Sequence, residues 1–203
     1  MNNSAMTDKS LAATIDRRAF VAALLEQFPD ALVVSGLGSS SYDVFAAGDR
    51  HGNFYLWGAM GGSTSVALGL ALAQPEKTVI AVTGDGEQLM GIGSLATAAA
   101  QRPRNLAVVI LDNGHFGETG MQPSHSKLGT NLAAVAQACG VPVTMEIDHA
   151  GGLDNLCRQI RDADGMVVAR VRIAPEEYPR ALPPRDGVYV KNRLREHLGF
   201  EPF

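Results

Sequence analysis

The run Lys77–Asn113, KTVIAVTGDGEQLMGIGSLATAAAQRPRNLAVVILDN, constrains this chain more than any other stretch. Thr78–Val82 is apolar and rich in β-branched residues, and it stops at Gly84-Asp85-Gly86, the pattern of a strand entering a glycine-permitted turn. A helix is predicted directly afterwards, over Glu87–Gln101, and Leu106–Leu111 reads as a second buried strand. A right-handed crossover lays two such strands parallel, which puts Asp85 and Asn113 at their carboxyl ends. Open α/β sheets bind ligands on that side. The unpaired N–H groups that begin a helix attract phosphate oxygens. One charged and one neutral side-chain oxygen beside them suit Mg²⁺, a hard cation that shares its coordination shell with phosphates. Asp-Gly is also ordinary turn chemistry, so the tripeptide alone decides nothing.

The other segments alternate in the same way. Asp16 can cap a helix that places Phe20, Val21, Leu24 and Leu25 on one face. Ala31–Val34 is a short strand running into Gly36-Leu37-Gly38-Ser39-Ser40-Ser41, whose serines can cap a helix through Phe45. Asn53–Trp57 is a strand and Ser63–Ala73 a helix of small residues; that helix and the predicted Glu87–Gln101 one have lean faces suited to close packing within the chain or against another subunit. Beyond Asn113, the glycine-rich loop 114–125 is expected to cover the site. A helix over Asn131–Cys139, a strand at Val141–Ile147, a helix near Leu153–Arg161 and a strand at Met166–Ile173 follow. Pro175–Pro184 is a connector and Val188–Leu198 a closing helix. The predicted fold class is α/β, a doubly wound, mostly parallel sheet with helices on both faces. Residues 1–15 are read as a frayed arm and 16–203 as a single domain, because a chain of 203 residues buries one good core.

Composition excludes several function classes. A net charge of −4 with no extended Lys/Arg cluster argues against nucleic-acid binding. The longest apolar run, Val66–Ala73, is too short to span a membrane, and residues 1–10 lack a signal peptide's apolar core, so a cytoplasmic location is expected. Cys139 and Cys157 have no metal-ligand spacing and read as small apolar filler. GLGSSS nearly matches the dinucleotide fingerprint GxGxxG, which keeps a nicotinamide-binding domain as an alternative, although Ser41 stands where the third glycine belongs.

Taken together, GDG, a strand-ending Asn 28 residues after its Asp, and WGAMGG upstream resemble the thiamin-diphosphate motif of the 2-oxo acid decarboxylase and acetolactate synthase superfamily. The ordered run LVVSGLGSSS, FYLWGAMGG, ALGLALAQPEKTVIAVTGDG, LATAAAQRPRNLAVVILDNG and TGMQ is most similar to β subunits of sulfopyruvate decarboxylases and to the carboxy-terminal halves of phosphonopyruvate decarboxylases. That resemblance implies a diphosphate-binding domain. Mg²⁺ would be held by the side chains of Asp85 and Asn113 and the backbone carbonyl of His115. The diphosphate would meet Gly84, Gly86, Glu87, Phe116, Gly117 and Glu118. Met60 would wedge beneath the cofactor rings, and the Gly58 carbonyl would accept from the aminopyrimidine. Ser39 either touches the cofactor or only caps its helix, and Met60 could equally be core filling.

The resemblance also implies what the chain lacks. The glutamate that activates the pyrimidine ring belongs to a separate domain, so a pyrimidine-binding α subunit is expected as partner, in an α2β2 or larger hetero-oligomer. The expected reaction is decarboxylation of a 2-oxo acid to an aldehyde, with sulfopyruvate- or phosphonopyruvate-like substrates as leading guesses. A thiamin-dependent carboligase subunit and a non-enzymatic cofactor-binding module remain alternatives. Glu87 and Glu118 depart from the family's small or serine-like residues. Glu118 and His115 are candidate catalytic residues, with a solvent-facing loop as the competing reading, and His125 is a further loop histidine. Asp112, next to Asn113, is read as a bystander.

Overall fold

The computed structural model describes residues 15–201. In chain order the elements are α1 (Arg17–Glu26), β1 (Leu32–Ser35), α2 (Ser39–Ala46), β2 (Asn53–Tyr55), α3 (Ser63–Ala73), β3 (Val79–Gly84), α4 (Asp85–Met90), α5 (Gly93–Gln101), β4 (Leu106–Asp112), the two-residue strands β5 (His115–Phe116) and β6 (Gln122–Pro123), α6 (Leu132–Ala138), β7 (Val143–Ile147), α7 (Gly152–Asp162), β8 (Val167–Arg172) and α8 (Gly187–His197). Six strands form one sheet in the order β2-β1-β3-β4-β8-β7, and every pairing in it is parallel. The predicted doubly wound sheet is therefore present, with most element bounds shifted by only one or two residues.

Side-chain alternation along the strands divides the core in two. Val33, Ile80, Val82, Val109 and Ala169 face one layer, where they meet Phe20, Val21 and Leu24 of α1, Val44 of α2 and Leu156 and Cys157 of α7. Leu32, Val34, Ala81, Val108, Ile110 and Val168 face the other, against α3, α5, α6 and α8 through Leu68, Leu95, Leu132 and Leu194. This period of two, with both faces covered, is why the strands read as unbroken apolar runs. Asp16 caps α1 as expected, accepting from Ala19 N at 2.9 Å. Asn131 does the same for α6 through Ala134 N at 3.0 Å. Among the described residues no helix is long and apolar enough to cross a membrane.

Three expectations need correction. The single helix predicted over Glu87–Gln101 is two helices, α4 and α5, broken at Gly91-Ile92. The cause is tertiary: a Cβ on Gly91 would collide with the backbone of Gly61, so the chain turns where two glycines touch. Gln88 secures the break, accepting from Thr64 Oγ1 at 2.7 Å and donating to Ser94 Oγ at 3.2 Å. The serines of GLGSSS do not cap α2, whose N-cap is Gly38 with no side-chain hydrogen bond; Ser41 turns inward instead and donates to Gly36 O at 2.6 Å. Ile15 does not belong to a frayed arm, since it is buried and bridges Ile173 in parallel; the rest of that arm lies outside the described residues.

The two glycine environments give opposite expectations. Gly91→Ala should cost about 1–3 kcal/mol by overpacking. Gly69→Ala, in α3 with nothing near its added methyl, should stabilise by about 0.5–1 kcal/mol by favouring the helix. Urea denaturation of the two variants checks both signs.

Candidate functional site

The direction of winding reverses between β1 and β3, because β2 lies to one side of β1 and β3 to the other. The loops leaving the carboxyl ends of those strands must therefore part, and they open a crevice there. It holds a cleft of about 210 Å³, walled by the turn after β1, the start of α4 and the hairpin β5–β6. Ser39, Met60, Gly84, Asp85, Gly86, Glu87, Asn113, His115, Phe116, Gly117 and Glu118 all line it, so positions spread over 80 residues of chain converge. Gly58 alone of the sequence-selected set is not on its wall; it is exposed, in a left-handed conformation with φ 72°. Met60 is 42% exposed at the cleft and so is not core filling.

Local geometry gives the GDG glycines a different reason from the expected one. Gly84 has φ −99°, which any residue adopts, and Asp85 opens α4 without an intervening turn. Gly86 is required by proximity instead, because a Cβ there would lie 2.8 Å from the Phe116 ring. Glu87 is buried at 4% exposure, and its Oε2 accepts from Leu37 N at 3.0 Å, stitching α4 to the loop after β1 across the crevice. Burial pushes its carboxyl above the ordinary range, opposed by the nearby Ser63 and Thr83 hydroxyls. Oε1 makes no hydrogen bond. A different carboxylate, Glu118, lies beside Gly38, where the fingerprint brings a pyrophosphate to the backbone, and Ser41 fills the packing position of the absent third glycine. Both features disfavour the dinucleotide alternative.

Asp85 is the most constrained polar group in the cleft. In-register pairing of β3 with β4, with Gly84 opposite Leu111, brings it beside Asp112. Both are buried, at 2% and 5% exposure. Their mutual repulsion is managed by two serines that sequence reading did not select. Ser124 Oγ makes a short hydrogen bond to Asp85 Oδ2, and Ser126 Oγ lies 3.0 Å from the same oxygen and 2.7 Å from Asp112 Oδ1. Asp112 is no bystander, since it also accepts from Gly114 N at 2.9 Å and pairs with Arg170 Nε at 2.6 Å. Burial first, and Asp112 second, push the Asp85 carboxyl up to about 6, with the serine hydroxyls opposing.

The residues fit a cation bound with phosphate. Among the described residues no three His, Cys, Asp or Glu side chains converge as a metal cluster. The available donors are hard oxygens of low total charge, a set that Mg²⁺ completes with phosphate oxygens and water. Proton counting agrees: Ser126 has one proton for three close oxygens, those of Asp85, Asp112 and Ser124. Ser124 and Ser126 together have two protons for four close oxygen contacts, so two contacts stay unfilled while both carboxylates are ionised, and a cation at Asp85 would offset the charge there.

The loop after β4 is shaped by its own side chains. Asn113 Oδ1 accepts from His115 N at 2.8 Å, and the Asn113 carbonyl meets His115 Nδ1 at 2.7 Å. His115 Nε2 lies 3.0 Å from Lys127 Nζ, so both ring nitrogens are engaged away from the cleft's interior. His125 is exposed and packs edge-on against Phe116, with ring centroids 6.0 Å apart. Glu118 pairs with Arg180 at 3.5 Å, at the rim of a second cleft of about 90 Å³ that Arg17 and Tyr178 also line. Arg17 was not foreseen: it reaches both clefts from α1, held by buried Asp43 at 3.1 Å.

A carboxyl whose pKa rises on folding holds its proton more tightly in the native state. Metal-free protein should therefore lose stability as pH rises from 3.8, the ordinary value, through about 6. The loss should reach up to about 3 kcal/mol. Asp85→Asn should remove this decline and be more stable than wild type at pH 7.5 without metal, as read by urea denaturation at several pH values; destabilisation there would contradict the assignment.

Residues 38–171 match the model of the thiamine pyrophosphate enzyme C-terminal TPP binding domain. The sulfopyruvate decarboxylase β subunit of Methanococcus maripaludis is 41% identical over 73% of this chain and 75% of its own length. Phosphonopyruvate decarboxylase of Streptomyces hygroscopicus is also 41% identical, over 84% of this chain, which spans only 42% of that enzyme. Among solved structures, a thiamin diphosphate-dependent enzyme of Mycobacterium smegmatis superposes with a TM-score of 0.70 at 25% identity, covering 81% of this chain and 33% of its own. The cleft, the order of its motifs and these matches agree, and the chain belongs to the thiamine pyrophosphate enzymes as a carboxy-terminal, cofactor-binding domain of the decarboxylase type.

Proposed function

We propose that the chain is the β-type subunit of a heteromeric 2-oxo acid decarboxylase, with thiamin diphosphate and Mg²⁺ bound in the cleft at the carboxyl ends of β1, β3 and β4. The observation that carries this reading is the convergence of Asp85, Asn113, Met60 and the 115–118 hairpin on one cleft at the point where the winding reverses. Asp85, Asn113 and the His115 carbonyl would hold the metal, and the backbone around Gly86 and Gly117 would face the diphosphate. Met60, on the cleft wall, would support the rings. Bound thiamin diphosphate supplies the electron sink into which a 2-oxo acid can lose CO₂. Glu87 keeps the loop after β1 against α4 through Leu37 N, and so fixes the width of the cleft.

The relative from Methanococcus maripaludis is a subunit beta, and the phosphonopyruvate decarboxylase of Streptomyces hygroscopicus is more than twice as long as the stretch matched here. A pyrimidine-binding partner that brings the catalytic glutamate accounts for both. Exposed Val66, Leu72 and Met90 on the lean helices are consistent with such a partner.

Substrate selection falls to the second cleft. Arg180 compensates Glu118, and an anionic tail there would meet Arg17 and Arg180 but also the carboxylates of Glu118, Glu176 and Glu177. Sulfonated and phosphonated 2-oxo acids stay the leading candidates because of the relatives, not because of this lining. His115, with both ring nitrogens occupied, is better suited to shaping the loop than to proton transfer.

The chain should release no CO₂ from a panel of 2-oxo acids alone, and should do so when mixed with a companion chain bearing the pyrimidine-domain glutamate. Full activity alone would refute the half-enzyme reading, and silence of a cofactor-loaded mixture would favour carboligation or a binding module. In the active mixture Glu118→Gln should change KM or the preference among tails by about tenfold with little change in cofactor affinity. Unchanged kinetics would return Glu118 to a plain surface role.

A further inference from the structure

The proton arithmetic around Asp85 has a structural counterpart that runs across the sheet. Ser126 Oγ touches Asp85 Oδ2 at 3.0 Å and Asp112 Oδ1 at 2.7 Å. Asp112 Oδ2 is gripped by Arg170 Nε at 2.6 Å, from the neighbouring strand β8. Arg170 Nη1 reaches Glu146 Oε2 at 3.5 Å on the edge strand β7, and Glu146 also accepts from Asn131, the cap of α6. A cleft carboxylate is thereby tied through one hydroxyl to a line of alternating charges ending at the far edge of the sheet.

The hairpin makes this possible. Ser124 N donates to Gly114 O at 2.8 Å, which folds the end of the loop back under its start and drops both serine hydroxyls between the two acids. Both hydroxyls approach Oδ2 of Asp85, and among the described residues Oδ1 receives no hydrogen bond from another side chain. The two oxygens of one carboxylate are thus assigned different tasks. A serine at position 126 is the smallest residue that can touch Asp85 and Asp112 at once; Ala would leave two buried carboxylates facing each other with one hydroxyl fewer.

We propose that Ser126 is a positioning residue for the cation: by bridging Asp85 to the Asp112–Arg170 ion pair it holds Oδ2 and presents Oδ1 to the metal. This rests on the reading of Asp85 as a metal ligand. Partners that orient metal ligands from behind typically account for 10–100-fold in metal affinity. The bridge also stands apart from the cofactor: Ser126 does not line the cleft, so a change there acts through Asp85.

The test is Mg²⁺ titration by calorimetry on the full chain, with its companion if that is needed for cofactor uptake, at saturating thiamin diphosphate. Wild type, Ser126→Ala and Ser126→Thr are compared, and each variant's unfolding midpoint is taken without ligands. Ser126→Ala should weaken Mg²⁺ binding about 10–100-fold. Ser126→Thr, which keeps the hydroxyl, should recover most of it. A purely structural serine would shift the midpoint and leave metal affinity alone, and that result, or equal affinity in wild type and Ser126→Ala, overturns the proposal. No Mg²⁺ uptake by wild type overturns it together with the reading of Asp85, and is distinguishable for that reason. If Ser126→Ala does not fold, Arg170→Lys serves instead: it keeps the charge but loses the guanidinium fork, and should weaken Mg²⁺ binding several-fold through Asp112. Unchanged affinity in that variant also overturns the proposal.

Discussion

Two buried carboxylates at the carboxyl ends of adjacent parallel strands are the condition under which the rest of this site is built. Register leaves no freedom: once Gly84 pairs with Leu111, Asp85 at the start of α4 and Asp112 at the end of β4 stand side by side. A like-charge pair in a desolvated place is unfavourable and needs compensation. Arg170 compensates Asp112 directly. Asp85 receives the Ser124 and Ser126 hydroxyls and a backbone N–H but no cationic side chain, and burial with Asp112 beside it pushes its carboxyl up to about 6. The pair is left one positive charge short beside the cleft, and the Mg²⁺ proposed here would supply it.

The cleft itself follows from topology. Strand order forces the loops after β1 and β3 apart, and Glu87 limits how far by accepting from Leu37 N. Gly86 lets Phe116 close to within contact of α4, and the Gly61–Gly91 contact sets where α4 ends. Each of these is a close approach of backbone, available only where side chains are absent or very small. The hairpin β5–β6 then covers the opening and delivers Ser124 and Ser126 beneath it.

Much of this was legible in the sequence, for identifiable reasons. Strand and helix identities came through because both sheet faces are covered and the apolar runs are uninterrupted. The placement of Asp85 and Asn113 at the cleft was legible because it depends on local position at strand ends. Ser124 and Ser126 were not, since they reach Asp85 across 39 and 41 residues through a hairpin that two-residue strands scarcely announce. Arg170 meets Asp112 across 58 residues, a contact created only by the insertion of β8 beside β4. The break at Gly91 was hidden for a similar reason, because helical propensity carries no record of Gly61. The serines of GLGSSS misled in the other direction: their composition suits capping, but the packing of α2 on β1 turns Ser41 inward.

The central claim is that Asp85 makes this cleft a metal-dependent site for thiamin diphosphate. Calorimetric titration of thiamin diphosphate into wild type and Asp85→Ala, each with and without Mg²⁺, addresses it directly. The account predicts binding by wild type that requires Mg²⁺ and is lost in Asp85→Ala, while NAD binds neither. Equal, metal-independent affinity in both proteins would contradict it.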